Sequence, residues 1–374
     1  MAGIYIHIPF CRQRCTYCDF HSDTRTEQRG PMLKTLLHEM GSRCSELAGH
    51  TVETLYIGGG TPSLYTPKDV NLLIQSIKEM FGVEIFEELT LEANPDDLTD
   101  AYLEGLRKTP VNRLSLGVQS FDDRILQFFN RRHDSGDALE AVARAKAHGY
   151  ENLSVDLIYG IPGQSETGWA GDLDRFFTLD VPHLSAYHLT IEEGTPLGRR
   201  TKRGELRPVA DEVSEHHYEI LREKAAEAGY LHYEISNFAR PGHEAVHNSS
   251  YWSGAPYLGI GPSAHSFDGQ RRRRWNVSDN GRYLAAAAGD FFEEEALTDT
   301  DRFNEWLMTG LRTAAGIDPE ILTVRFGTEW VGEWLAAAEP FFDRGQLVRE
   351  GKNIRIPAEK FLLADTVISA LFRT

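Results

Sequence analysis

Short runs of branched and aromatic residues alternate with helix-patterned segments through the first half of the chain, and this alternation limits the possible fold more than any other feature. The candidate strands are Ile4–Ile8, Thr54–Ile57, Leu89–Glu92, Arg113–Gly117, Leu153–Ile158 and His183–Leu189. Most are bounded by Gly, Pro or Asn, which stop pairing or turn the chain. Between them, Lys68–Met80 sets Val70, Leu73, Ile74 and Ile77 on one helical face, and Gly136–His148 stops at Gly149, a residue suited to a left-handed cap. Strands joined by helical crossovers lie parallel. Six such units predict an α/β fold, an open or partial (β/α)6 barrel rather than a closed eightfold one.

Polar residues and glycines gather where these strands end. Cys11 follows the first, Gly58-Gly59-Gly60-Thr61 the second, Glu92 and Asn94 end the third, and Gln119 and Ser120 follow the fourth. Asp156 lies near the end of the fifth, and Tyr187 and His188 near the end of the sixth. In parallel barrels the strand C-termini form the functional face, so a set in register there predicts a site. Asp156 stands among Val155, Leu157 and Ile158, and an unpaired buried carboxylate is costly.

Beyond about residue 195 the alternation fades. Asp211–Ala228 reads as a helix, residues 231–280 as irregular, and the chain from Asp299 as helical, with a hairpin at 347–356 and a last helix at Lys360–Phe372. The expected division is a barrel at 1–195, a connecting region at 196–298 that packs on it, and a mainly helical C-terminal domain with a β-hairpin at 299–374. Helices with a hairpin suggest a winged helix, but a net charge of −17 opposes a nucleic-acid partner and favours a packing module. Arg271-Arg272-Arg273-Arg274 is the local exception, read as a solvated loop or as a grip on ligand carboxylates or phosphates. No secretory leader and no apolar run near the ~18 residues of a membrane span is present, which predicts a cytoplasmic chain.

Three of the four cysteines fall within Cys11-Arg12-Gln13-Arg14-Cys15-Thr16-Tyr17-Cys18, a C-x3-C-x2-C spacing. Disulfide frameworks spread cysteines in pairs, whereas a tight group of thiolates suits zinc or an iron–sulfur cluster. A structural zinc wants a fourth ligand, for which His21 is the near candidate. Three cysteines on a cubane leave one iron open to a small chelating molecule. Cys44 stands apart, as a thiol on or beneath a helix near Leu36–Leu47.

The cysteine loop directly after a first strand resembles the radical S-adenosylmethionine (SAM) superfamily. Tyr5-Ile6-His7-Ile8-Pro9-Phe10-Cys11 narrows the likeness to the branch that contains oxygen-independent coproporphyrinogen III oxidase. Gly58-Gly59-Gly60-Thr61-Pro62-Ser63, Gly117-Val118-Gln119-Ser120-Phe121 and the run from Asp156 to Gln164 extend it over nearly the whole chain. The resemblance implies a [4Fe-4S] cluster on Cys11, Cys15 and Cys18 that reduces SAM to methionine and a 5′-deoxyadenosyl radical. It implies Gly59, Gly60 and Thr61 beside the methionine amine, and Glu92, Gln119, Arg131 and Asp156 along the cofactor site. Tyr5 and Tyr17 match aromatic positions next to it, and His265 is a further candidate for that pocket.

Two departures matter. The oxidases continue the motif to a fourth cysteine, where this chain has Phe20, and they carry a longer arm before the loop. Both departures resemble the HemW-type heme chaperones, as does His247-Asn248-Ser249-Ser250-Tyr251-Trp252. The likeness implies heme as a ligand, His247 in heme binding, and delivery to an acceptor protein, which includes one peripheral to a membrane. The alternative it leaves open is the coproporphyrinogen oxidase itself, or another radical enzyme acting on a tetrapyrrole.

Overall fold

Alternate residues of a strand face opposite sides, and here the two sides differ sharply in chemistry. The computed structural model describes residues 1–285 and 291–374. In it β1 (Ala2–Ile8), β2 (Val52–Gly59), β3 (Glu88–Ala93), β4 (Arg113–Gln119), β5 (Leu153–Tyr159) and β6 (His183–His188) pair in sequential order, all parallel. Ile4, Ile6 and Ile8, Leu55 and Ile57, Leu89 and Leu91, Leu114 and Leu116, and Leu153 and Val155 are buried in the apolar core. Helix Pro67–Phe81 covers part of it with Val70, Leu73, Ile74 and Ile77. That helix starts in a Thr66–Asp69 capping box and ends at Gly82 in the left-handed region. The alternate positions hold polar groups: Arg113, Ser115 and Gln119 on β4, Ser154 and Asp156 on β5, and His183, Ser185 and Tyr187 on β6. The partial barrel with a mainly helical C-terminal part is the architecture the alternation predicts.

The segment expected to be irregular instead contributes five short strands and a helix, Val246–Trp252. Here β7 (Leu231–Glu234), β8 (Asn237–Ala239), β9 (Tyr257–Ile260), β10 (His265–Phe267) and β11 (Arg272–Asn276) form, and β12 (Phe292–Ala296) follows. They extend both edges to a twelve-stranded sheet, in the order β12-β11-β10-β9-β1-β2-β3-β4-β5-β6-β8-β7. Strands of three to five residues are too short to display alternation, which is why the sequence pattern hid them. The arginine run is mostly strand rather than loop, with Arg271 and Arg272 exposed. Arg272–Arg274 lie in β11 opposite the acidic β12, with Arg273 facing Glu295 and Arg274 facing Glu294. Arg273 also grips Glu305, and Arg274 pairs with Glu46.

Helices Asp299–Gly310, Pro319–Phe326 and Thr328–Asp343 carry the C-terminal part, with the hairpin β13 (Val348–Glu350) and β14 (Asn353–Arg355). The last predicted helix is split: a 3-10 turn at Ala358–Leu363 precedes helix Ala364–Ala370. Among the described residues no helix is long and apolar enough to cross a membrane.

One buried polar knot fastens the added strands to helix Arg29–Arg43. Glu39 and Arg43 pair at 2.6 Å, almost without exposure. Glu39 also accepts from Gly261 N–H, Asn276 Nδ2 and Tyr283 Oη, and Arg43 donates to Gly259 O and Ser266 Oγ. Removing one partner of such a pair strands a buried charge, at roughly 3–5 kcal/mol. Glu39→Ala is therefore expected to lower unfolding stability by about that much in urea titrations, and the Glu39→Leu/Arg43→Met double variant by clearly less. A loss below about 1 kcal/mol in the single variant would show that the knot is not what holds this edge.

Candidate functional site

The loop after β1 arches over the C-terminal ends of the strands because it is tied there at several points. Cys11 N–H bonds Asp23 O, Thr16 N–H and Oγ1 bond Phe129 O and Phe128 O, and Asn130 Nδ2 bonds Arg14 O. Beneath it lies a cavity of about 440 Å³. Cys11, Cys15 and Cys18 line this cavity together with Tyr17, Gly59, Gly60, Thr61, Glu92, Gln119, Arg131 and Asp156. Most of the residues singled out in the sequence therefore converge on one space.

The rim is built around sulfur. Thr61 Oγ1 donates to Cys11 Sγ at 3.4 Å, and Arg131 Nη1 donates to Cys15 Sγ at 3.3 Å. Arg131 also holds Asn94 Oδ1 and Gly117 O, so a single guanidinium joins the cysteine loop to β3 and β4. Burial pushes the Cys18 thiol up to about 11 and raises that of Cys11. Glycine is required next to them. A Cβ on Gly60 would stand 2.7 Å from Phe10 O, and one on Gly59, whose φ is 108°, would meet the His7 ring at 2.6 Å.

Deeper down the walls are carboxylates and hydroxyls. Glu92 accepts from Tyr56 Oη at 2.7 Å and Gly59 N–H at 3.0 Å, and burial raises its pKa to about 7. Asp156 accepts from Ser115 Oγ at 3.2 Å and is raised by burial to about 6. Arg113, Ser154 and His183 continue the polar lining, and Asn248, from helix Val246–Trp252, reaches it as well. Sequence reasoning missed Tyr56, Arg113, Ser115, Ser154, His183, Ser185 and Asn248 as site residues. The first six share the inward face of strands already predicted, two residues apart from one another or from a named neighbour, and that spacing is the signal that could have found them.

Three predicted residues do not reach the cavity. Tyr5 lies behind its wall, with its hydroxyl 3.0 Å from His7 Nδ1 and its ring 6.0 Å from that of Tyr56. His265 is on β10, exposed and stacked on Trp275, because the strand pairing turns it away from the barrel. His247 is 1% exposed, with Nδ1 2.8 Å from Thr54 Oγ1 and Nε2 2.9 Å from Tyr251 Oη. Burial lowers its pKa to about 3, which favours the neutral imidazole, and both nitrogens are engaged. Neither nitrogen faces the cavity in this structure. His21, the near candidate for a fourth zinc ligand, bonds Asn280 Oδ1 at 2.8 Å and does not line the cavity. Free thiols open to one cavity, two of them accepting hydrogen bonds at sulfur, suit a cluster held by three cysteines. Among the described residues no three Cys, His, Asp or Glu side chains converge on the position of a single metal ion.

A parallel partial barrel with such a loop over its open end is the arrangement of radical SAM proteins, and the family model described as Radical SAM superfamily matches residues 5–175. That superfamily works with a [4Fe-4S] cluster and SAM. Heme chaperone HemW of Lactococcus lactis is 35% identical over 96% of this chain and 97% of its own length. Heme chaperone HemW of Mycobacterium tuberculosis is 38% identical over 77% of this chain and 74% of its own. The solved structure of coproporphyrinogen III oxidase (HemN) from Escherichia coli shares the fold, with a TM-score of 0.86 at 23% identity over 99% of this chain and 90% of that one. The chain belongs to the HemW family within the radical SAM superfamily.

The buried carboxylates give the site a pH signature. A carboxyl whose folded pKa is raised stabilises the fold fully below the unfolded value near 4.5, and that contribution is lost as pH rises towards 7. Glu92→Gln, which stays neutral, is expected to match wild type near pH 4.5 and to gain relative stability, by about 1–3 kcal/mol, by pH 8. Urea unfolding of the cluster-free protein at both pH values measures the difference; a constant gap would mean that Glu92 does not titrate in this range.

Proposed function

We propose that this protein is a heme chaperone that holds a [4Fe-4S] cluster on Cys11, Cys15 and Cys18, binds SAM in the cavity below, and passes heme to an acceptor protein, one at a membrane surface included. The observation that carries the cluster and SAM is the convergence of three free thiols, Gly59-Gly60 and two buried carboxylates on one space. When bound, the cluster supplies the reducing electron for SAM chemistry. The residues of this chain do the rest. The Arg131 guanidinium and the Thr61 hydroxyl donate to two of the sulfurs, and these bonds would stabilise negative charge on a reduced cluster held there. Gly59 and Gly60 let the amino acid part of SAM approach the strand edge. Glu92 and Asp156, in a low-dielectric pocket, attract its positive sulfonium and ammonium groups. Tyr17, packed on Phe129 with ring centroids 4.6 Å apart, closes the rim.

Heme handling rests on likeness to proteins named heme chaperones over nearly the whole chain. The oxidase reading is disfavoured by Phe20, 70% exposed at the position of the oxidases' fourth cysteine. Anaerobically reconstituted protein is expected to take up one heme and to form no protoporphyrinogen from coproporphyrinogen III, SAM and reductant. Turnover of the porphyrinogen would reverse the preference. Serine at Cys11, Cys15 or Cys18 is expected to reduce cluster iron and sulfide to background; retention in all three variants would end the proposal.

A further inference from the structure

Thr54, Tyr56 and Gly58 are alternate residues of β2 and share its inward face. The Tyr56 ring is packed against two others. Its register partner on β1 is Tyr5, with ring centroids 6.0 Å apart, and the His247 ring stands 5.3 Å away. A phenol confined in this way keeps few rotamers, and its hydroxyl ends 2.7 Å from Glu92 Oε1. Gly58 makes that approach possible. A Cβ there would stand 2.6 Å from Tyr56 Cε1 and 2.8 Å from Glu92 Oε1.

Glu92 lines the cavity, and each of its carboxylate oxygens has one protein donor. Oε2 takes the backbone N–H of Gly59, and Tyr56 is the one side chain that donates to Glu92 among the described residues. The other ionisable groups that face it are Tyr5 from β1, Asp156 from β5 and Tyr187 from β6. Burial raises both phenols, which stay protonated. Arg113 and Arg131 favour the anion of Asp156, and His247 contacts Tyr56. Burial first, and then the charge of Asp156, oppose ionisation of Glu92, whereas the Tyr56 hydroxyl and the Gly59 N–H favour it. Of these donors, only the Tyr56 hydroxyl can be removed by a side-chain substitution.

We propose that Tyr56 is a positioning residue for SAM: its hydroxyl holds the Glu92 carboxylate ionised and in place, so that the cationic amino acid end of SAM meets a fixed negative charge. The inference rests on the reading of this cavity as the SAM site and names a group that tunes it. A sulfonium or ammonium gains more from an oriented anion in a low-dielectric pocket than from a neutral carboxyl. With the pKa of Glu92 at about 7, part of the unliganded protein carries the neutral acid at neutral pH. SAM then binds as the carboxyl proton leaves to solvent, and the phenol keeps its own proton throughout.

The test measures SAM affinity of cluster-loaded wild type, Tyr56→Phe, Glu92→Gln and the double variant between about pH 6 and 8.5. Heats of binding in buffers of different ionisation enthalpy count the protons released. Tyr56→Phe keeps the ring and loses one bond to a charged group, so the pH midpoint of SAM binding is expected to rise by about one unit. Its affinity then lies about fivefold below wild type at pH 7 and within about twofold at pH 8.5. Adding Tyr56→Phe to Glu92→Gln is expected to change affinity by less than about twofold, since the hydroxyl then has no charge to hold. Proton release near pH 7 is expected to be larger in wild type than in Glu92→Gln. Equal affinity of Tyr56→Phe and wild type at every pH would overturn the proposal, as would equal proton release in wild type and Glu92→Gln. A loss of one size at every pH, or one that persists beside Glu92→Gln, would also overturn it, because Tyr56 would then only shape the wall. Wild type that carries its cluster and binds no SAM at any pH would instead remove the SAM reading on which the proposal stands.

Discussion

The inner face of the sheet is polar, and the site depends on that inversion. Parallel barrel interiors are ordinarily filled by branched apolar side chains. Here Glu92 and Asp156 occupy core depth, and each would cost several kcal/mol as an isolated charge. The hydroxyls of Tyr56 and Ser115 and the N–H of Gly59 offset part of this cost. Burial nevertheless raises the pKa of Glu92 to about 7 and that of Asp156 to about 6, so their desolvation is only partly relieved. A cationic ligand completes what the protein leaves unfinished, and the cavity exists because the strands do not close over it.

Arg131 converts this interior into a platform for the cysteine loop. One guanidinium contacts β3 through Asn94, β4 through Gly117 and the loop through Cys15. It stays charged although burial opposes it, because a guanidinium is intrinsically a very strong base and its hydrogens are taken up by Cys15 Sγ, Asn94 Oδ1 and Gly117 O. The loop has little regular structure of its own. Its position is set by side chains and carbonyls of the 128–131 segment, so the cysteines are only as well placed as the helix end that supplies them.

The sequence made visible whatever repeats within one strand or helix. Six parallel strands carried enough residues to show their period, helix Pro67–Phe81 announced itself through Thr66 and Asp69, and the cysteine spacing was specific without any structure. Contacts between distant segments were not legible. Nothing in Arg271–Arg274 reveals that Glu293–Glu295 will lie across from it, and the three-residue strands β8 and β10 exist only because β6 and β9 offer them an edge. His247 shows the same limit. Its segment was recognisable as a motif, but its burial between Thr54 and Tyr251 follows from where Glu88 anchors the helix.

That anchoring links two cavities in one element. Glu88, the first residue of β3, accepts from the N–H groups of Val246 and His247 and faces Arg113 at 3.9 Å. A Cβ on Gly3 would meet the His247 ring at 3.1 Å, so β1 leaves just enough room for the imidazole. Seven residues are fixed in this way at one end by β3 and at the middle by β1 and β2. Asn248 then belongs to the polar cavity, and Tyr251 and Trp252 to a second, smaller one. The shared wall is firm because both nitrogens of its buried histidine are held.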